Sequence, residues 1–308
     1  MEDDAPRRKF AVVQRECLQG PAVFARELVS RPVLLLAAFL CIWSVSWSKF
    51  ALLPFAIEWQ FILCILVSYI HQSPSPGWYM PDVRITSLPY GKQLFARPSH
   101  HVSANMAFLV SLSYLYPLPE VVVPLLLCVF LAAATDVYMG FSGILDVVYG
   151  TAVGGTVAAL VYCTGFSFWI LSQPSWTRFL VLASPIPAAV IFLFAIRRFV
   201  PGVSAQHTDM WVSSIKRAHP DPNLEVVIDD RKIDVILPNL ALLFGLSIGT
   251  AIVPPTVSPP AFLVGVGLAV YVLLAVAITV SVMRSITWLC VLSHFLLGCW
   301  ATLALLIN

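Results

Sequence analysis

The sequence predicts an all-α fold, a polytopic transmembrane helix bundle of about nine crossings. Three observations carry this. Hydrophobic residues make up 59% of the 308, and charged residues only 11%, where a water-soluble domain is nearer a quarter charged. Mean hydropathy is +0.87. The few charges that remain cluster between long apolar runs and sort to one side of them. So little charge cannot cover a water-facing surface, so lipid is the main solvent of the chain.

Residues 1–31 carry Arg7, Arg8, Lys9, Arg15, Arg26 and Arg31 against Glu2, Asp3, Asp4, Glu16 and Glu27. This stretch lacks the short apolar core and small-residue cleavage site of a signal peptide, so it reads as a retained cytosolic tail. An amphipathic stretch is expected around Phe24 to Val29. Residues 32–306 then form one transmembrane domain. Between 33 and 71 only Lys49 and Glu58 are charged, and the run is twice one crossing. A tight turn near Lys49 to Pro54 divides it, with Trp43, Trp47 and Trp59 as interface anchors and Glu58 as a partner for Lys49. After a polar loop over 72–98, crossings follow at about 101–116, 120–138, 143–163, 178–196, 234–253, 261–283 and 287–306. The longest polar piece, 197–233, is too short for a domain. Within it Met210, Trp211 and Ile215 beside Lys216 and Arg217 predict a short interfacial helix.

Alternation places the tail, Arg84, Lys92, Arg97, Arg197, Arg198, Lys216, Arg217, Arg231, Lys232 and Arg284 on one side, leaving only Lys49 and Arg178 on the other. The positive-inside rule makes the rich side cytosolic, with the N-terminus in and the C-terminus out. A net charge of +2 and no basic runs interleaved with aromatics exclude a nucleic-acid binder. Seven cysteines without a CxxC pair read as small buried hydrophobes.

Ionisable residues at membrane depth are functional candidates, because a charge near the bilayer centre is costly. Asp136 ends the fourth crossing and Asp146 begins the fifth, joined by a turn containing Tyr138, Gly140, Ser142 and Gly143. On the same side, Arg97-Pro98-Ser99-His100-His101 precedes the third crossing. Ser99 is placed to cap that helix, whose N-terminus favours an anion. Gly150 and Gly154, four apart with Gly155 beside them, predict a close helix-packing surface.

Pro98-Ser99-His100-His101 and the run from Thr135 to Asp146 together resemble two motifs of the type 2 phosphatidate phosphatase and haloperoxidase superfamily, in its sphingosine-1-phosphate phosphatase-like branch. That family carries Lys-x6-Arg-Pro, then Pro-Ser-x-His, then Ser-Arg-x5-His-x3-Asp. The second motif matches here, and the third aligns without a gap: Thr135 and Asp136 stand at Ser-Arg, Ser142 at the histidine and Asp146 at the aspartate. Specific likeness covers 98–155. The resemblance implies a helical lipid phosphate phosphatase fold, no metal or cofactor, and lipid phosphates of sphingoid or glycerolipid type as ligands. It implies His101 as general acid to the leaving alcohol and Asp146 as orienter of the nucleophile. Arg97, Ser99, His100 and Asp136 take the phosphate-holding positions.

Two substitutions change what the resemblance implies. The attacking histidine is Ser142, and the phosphate-holding arginine is Asp136. The first motif is also absent: Lys92 stands five residues before Arg97 where the pattern needs seven, and the end of the second crossing reads Tyr69-Ile70-His71-Gln72-Ser73-Pro74. A full charge at about 4 Å contributes roughly 4 kcal/mol at an effective dielectric of about 20, so exchanging arginine for aspartate turns that attraction into a similar repulsion. A phosphate dianion should avoid the site unless Asp136 is protonated or paired.

The expected function is therefore non-hydrolytic, lipid binding or support of a membrane-protein partner. The first rival is an active lipid phosphate phosphatase with an altered site, for instance a Ser142, His101 and Asp146 triad. A metal set of His100, His101, Asp136 and Asp146 is a weaker rival, since neighbouring histidines on a helix diverge. A transporter or channel fits the crossing count but not the gathering of ionisable groups at one face. The resemblance implies endoplasmic reticulum or another endomembrane with the site facing the lumen, whereas the charge count turns it to the cytosol.

Overall fold

The computed structural model describes residues 16–44, 47–79, 92–93, 95–218, 227–228, 233–253 and 287–303. Among these the chain is helical apart from one short parallel strand pair, β1 (Lys92–Gln93) with β2 (Val227–Ile228). The helices run α1 (Glu16–Leu28), α2 (Arg31–Ser44), α3 (Trp47–Phe50), α4 (Leu53–His71), α5 (Pro76–Tyr79), α6 (His100–Leu115), α7 (Pro119–Tyr138) and α8 (Ile144–Tyr162). They continue as α9 (Phe166–Ser172), α10 (Ser175–Ala183), α11 (Pro185–Phe199), α12 (Ala205–Ala218), α13 (Ile233–Ile252) and α14 (Thr287–Leu303).

Four spans are long and apolar enough to cross a membrane: Ser48–Tyr79, Pro119–Tyr138, Ile144–Tyr162 and Ser175–Phe199. The chain is thus a membrane-embedded helical protein. The remaining expected crossings are helical but short of that measure, or lie outside the described residues. The 14 residues of α2 and the 16 of α6 reach only about 21 and 24 Å, against a hydrocarbon core of about 30 Å. The expected crossing at 261–283 lies outside the described residues.

Helix α4 is the hub. In its span 83% of the apolar window is buried, against 17% for α7, so nearly equal hydrophobicity serves two purposes. The face of α4 packs on protein, whereas α7 turns Leu126, Leu127 and Phe130 outward, where only lipid solvates them. Around α4 stand α2, α6, α8, α11 and α13. The helices α6 and α8 run parallel through the glycine surface the sequence indicates: a Cβ on Gly150 would meet the Ser99 carbonyl oxygen at 2.5 Å, and one on Gly154 would strike that of Ser103. A second seam joins α13 and α14, where Gly245 faces Phe295 and Gly298 faces Leu242. From the first turn of α10, Arg178 donates to the carbonyls of Ala251 and Val253, both at 3.1 Å, and so closes the C-terminus of α13.

A cap covers the end of α4 that carries His71. Trp78 of α5 packs its ring 5.5 Å from that of Trp211 and 6.0 Å from Phe95, and Gln72 donates to the Pro201 carbonyl at 2.7 Å. Helix α12 supplies Trp211, so the interfacial helix expected around Met210 to Arg217 lies within it, with Trp211 and Ile215 buried and Met210 exposed.

Within the expected N-terminal tail, residues 16–28 form the helix α1, which packs along α7. One expectation needs correction. Glu58 does not pair with Lys49. It meets Arg31, Nε to Oε1 3.1 Å, while Lys49 lies 5.6 Å from the Tyr116 ring centre. The reason is packing: Val29 lies with Val102 and Ala132, and α2 then begins with Arg31 beside Glu58 and Phe61 of α4.

Candidate functional site: a buried ion-paired polar centre

Three loops meet where α6 and α8 begin and α7 ends. Ala96 donates its N–H to the Ser73 carbonyl at 2.9 Å, Gly77 to Gly140 at 3.0 Å, and Ser99 to Asp146 at 3.0 Å. The turn after α7 is made by Gly140, whose φ of 72° favours glycine. Behind it Phe141 and Ser142 donate to the Asp136 carbonyl at 3.0 and 3.2 Å. The Arg97–Pro98 peptide is cis.

Ser99 caps α6 as expected, accepting from the Val102 N–H at 3.3 Å. The same hydroxyl donates to Asp136 Oδ2 at 2.7 Å. Ser142 Oγ reaches that oxygen at 3.5 Å, a long contact. The other oxygen, Oδ1, accepts from Arg26 Nε at 3.1 Å, and the guanidinium lies 4.4 Å over the Phe141 ring. Asp136 is therefore buried, paired and bonded through both oxygens.

Asp146 is occupied in the same way. Its Oδ1 accepts from Arg97 Nε at 2.8 Å and its Oδ2 from the Gly143 N–H at 2.8 Å, which caps α8. Arg97 also lies 5.4 Å over Tyr149, whose other neighbour is the His71 ring at 5.8 Å. A third pair is deeper: Arg31 engages the fully buried Glu58, hydrogen-bonds Asn239 of α13 and covers the Phe61 ring at 4.0 Å. Phe61 in turn meets His100 edge-on at 5.6 Å.

His100 and His101 lie with ring centres 4.6 Å apart, both within electrostatic range of Asp136, Arg26 and Arg31. His101 Nδ1 is buried without a hydrogen-bond partner. Ser99, Asp136 and Ser142 thus come together, as do Arg97 and Asp146, and His100 and His101. The structure does not join them into a Ser142, His101 and Asp146 triad: no hydrogen bond links His101 to either residue, and both Asp146 oxygens are committed elsewhere. Among the described residues no three His, Cys, Asp or Glu side chains converge as metal ligands.

Sequence reasoning missed Arg26, Arg31 and Glu58 as parts of this centre. The available signal was Asp136 itself, since a carboxylate buried among apolar helices requires a cation. Comparison with protein-family models, with curated proteins and with solved structures finds no match. Fold and site alone define the class: a membrane-embedded helical protein with internally neutralised charges at its polar centre.

Proposed function

We propose that this protein is a non-hydrolytic, lipid-binding member of the lipid phosphate phosphatase type, resident in the endoplasmic reticulum or a related endomembrane. The observation that carries the reading is Asp136: at the place of a phosphate-holding arginine, a buried carboxylate holds Ser99, Ser142 and Arg26 to itself. A substrate phosphate would have to displace it from Arg26, and displacing one partner of a buried pair costs about 3–5 kcal/mol. Ser142 has no base within bonding reach other than this already committed carboxylate, so it lacks the activation a hydroxyl nucleophile needs. In the same reading the chain crosses the membrane nine times with the N-terminus and polar centre cytosolic, as the charge distribution favours.

The rival reading, an active phosphatase with an altered site, draws on Arg26 as a cation returned from another helix and on the free Nδ1 of His101. Assay of the purified protein against a panel of lipid phosphate monoesters separates the two. No turnover is expected. Robust hydrolysis abolished by His101→Ala would overturn the proposal.

A further inference from the structure

Between α1, the second half of α7 and the first turn of α8 lies an apolar groove of about 680 Å³. Its walls include Pro21, Ala22, Ala25, Ala134, Val137 and Val147. No charged side chain lines it. Its lining hydroxyls belong to Thr135 and Tyr138, and that of Thr135 is turned back onto its own helix, 2.8 Å from the Leu131 carbonyl and 3.2 Å from that of Ala132. The volume falls in the range of ligand pockets, roughly 300–1,000 Å³, and far exceeds the water-sized voids that packed interiors leave.

Helix α1 packs along α7 and is held there at one end. Its C-terminal end is pinned by Arg26 on Asp136 and by Asn105, which donates to the Val29 carbonyl at 2.8 Å. Alanines face one another across the gap and reach too little to fill it. The walls offer too few polar partners to hold ordered water. A peptide segment would bring backbone groups that the walls cannot satisfy. The groove continues the outward face of α7, where Leu127 is 63% and Phe130 72% exposed, so hydrocarbon is the medium at its mouth. The Arg26–Asp136 ion pair stands next to lining residues, Arg26 after Ala25 and Asp136 between Thr135 and Val137. Neutral walls with that pair beside them complement the uncharged chain of a lipid that carries a polar headgroup.

We propose that this groove seats one acyl chain of a bilayer lipid between α1 and α7, with the Arg26–Asp136 pair holding the groove open. The assignment rests on the lipid-binding reading and gives it a location. The test reconstitutes the full chain in phosphatidylcholine bilayers doped with phosphatidylcholine bearing a photoreactive acyl chain. Crosslinks are then mapped by peptide mass spectrometry. They should concentrate on 21–25 and 131–147 and fall by about tenfold, equivalent to about 1.4 kcal/mol, in Ala134→Leu and in Ala22→Val. Ile191→Phe, on the lipid-facing side of α11, should leave them unchanged. Both groove variants should melt close to the parent in detergent, because they extend an apolar wall and remove no contact. Crosslinks spread evenly over the outer faces of α7 and α11, and insensitive to the groove variants in folded protein, would overturn the assignment while leaving lipid binding in place. Hydrolysis of a lipid phosphate would overturn the non-hydrolytic reading and leave the groove to be judged by its crosslinks.

Discussion

Asp136 shows how one side chain settles what its neighbours can do. Both its oxygens are engaged, so removing it orphans Arg26 in a site where that side chain is only 13% exposed. Asp136→Ala and Arg26→Ala should each lower stability by about 3–5 kcal/mol, seen as a fall in melting temperature in detergent, whereas Arg26→Met with Asp136→Leu should lose much less than the sum. The same geometry explains why Asp136→Arg with Ser142→His should not restore a phosphatase: the new guanidinium would face Arg26 in the same pocket. Asp136 and Ser99 were legible as site residues because their signals are local, a carboxylate in an apolar run and a serine before a helix. The partner was not, because it lies 110 residues away in a stretch whose composition reads as a tail.

At the scale of the helix, contact geometry rather than composition decides which substitutions are tolerated. Gly154 meets the Ser103 backbone, while a Cβ on its neighbour Gly155 would meet only the Met106 side chain at 3.7 Å. Gly154→Ala should therefore cost about 1–3 kcal/mol and Gly155→Ala almost nothing, measured as paired melting temperatures. The spacing of Gly150 and Gly154 made this seam readable. The one between α13 and α14 was not read, although Gly245 and Gly249 have the same spacing on α13, because its other glycine, Gly298, lies on a helix distant in sequence. Arg178 is similar: one of the two cations expected on the sparsely charged side, it closes α13. Arg178→Ala should leave the Ala251 and Val253 carbonyls without that donor and destabilise the protein by about 1–3 kcal/mol in the same assay.

For the whole molecule, hydropathy identified the solvent correctly but could not say which apolar helices face it. The buried α4 and the lipid-facing α7 have nearly the same mean hydropathy, 2.1 and 2.2 over their spans. Nor could it see that α1 packs along α7 and that Arg31, at the start of α2, meets Glu58. The sidedness proposed from charge is testable on the intact membrane. A glycosylation acceptor inserted at 202–208 should remain unmodified. Cys163, exposed at the opposite end of α8 from Asp146, should react with an impermeant maleimide only from the non-cytosolic side. Modification of the inserted acceptor would place that loop in the lumen and reverse the orientation.

The Arg31–Glu58 pair also bears on how the chain enters the bilayer during synthesis. Each charge alone would oppose insertion at the helix centre by about 2.5–3.5 kcal/mol on translocon scales. The two belong to the first helical hairpin, so they can neutralise each other before most of the bundle has left the ribosome, and Asn239 joins the guanidinium only when α13 arrives. The hairpin of α2 and α4 should then partition as a unit. Glu58→Ala should leave Arg31 without its counter-charge at that moment, and the damage should appear first as nascent chains that fail to integrate.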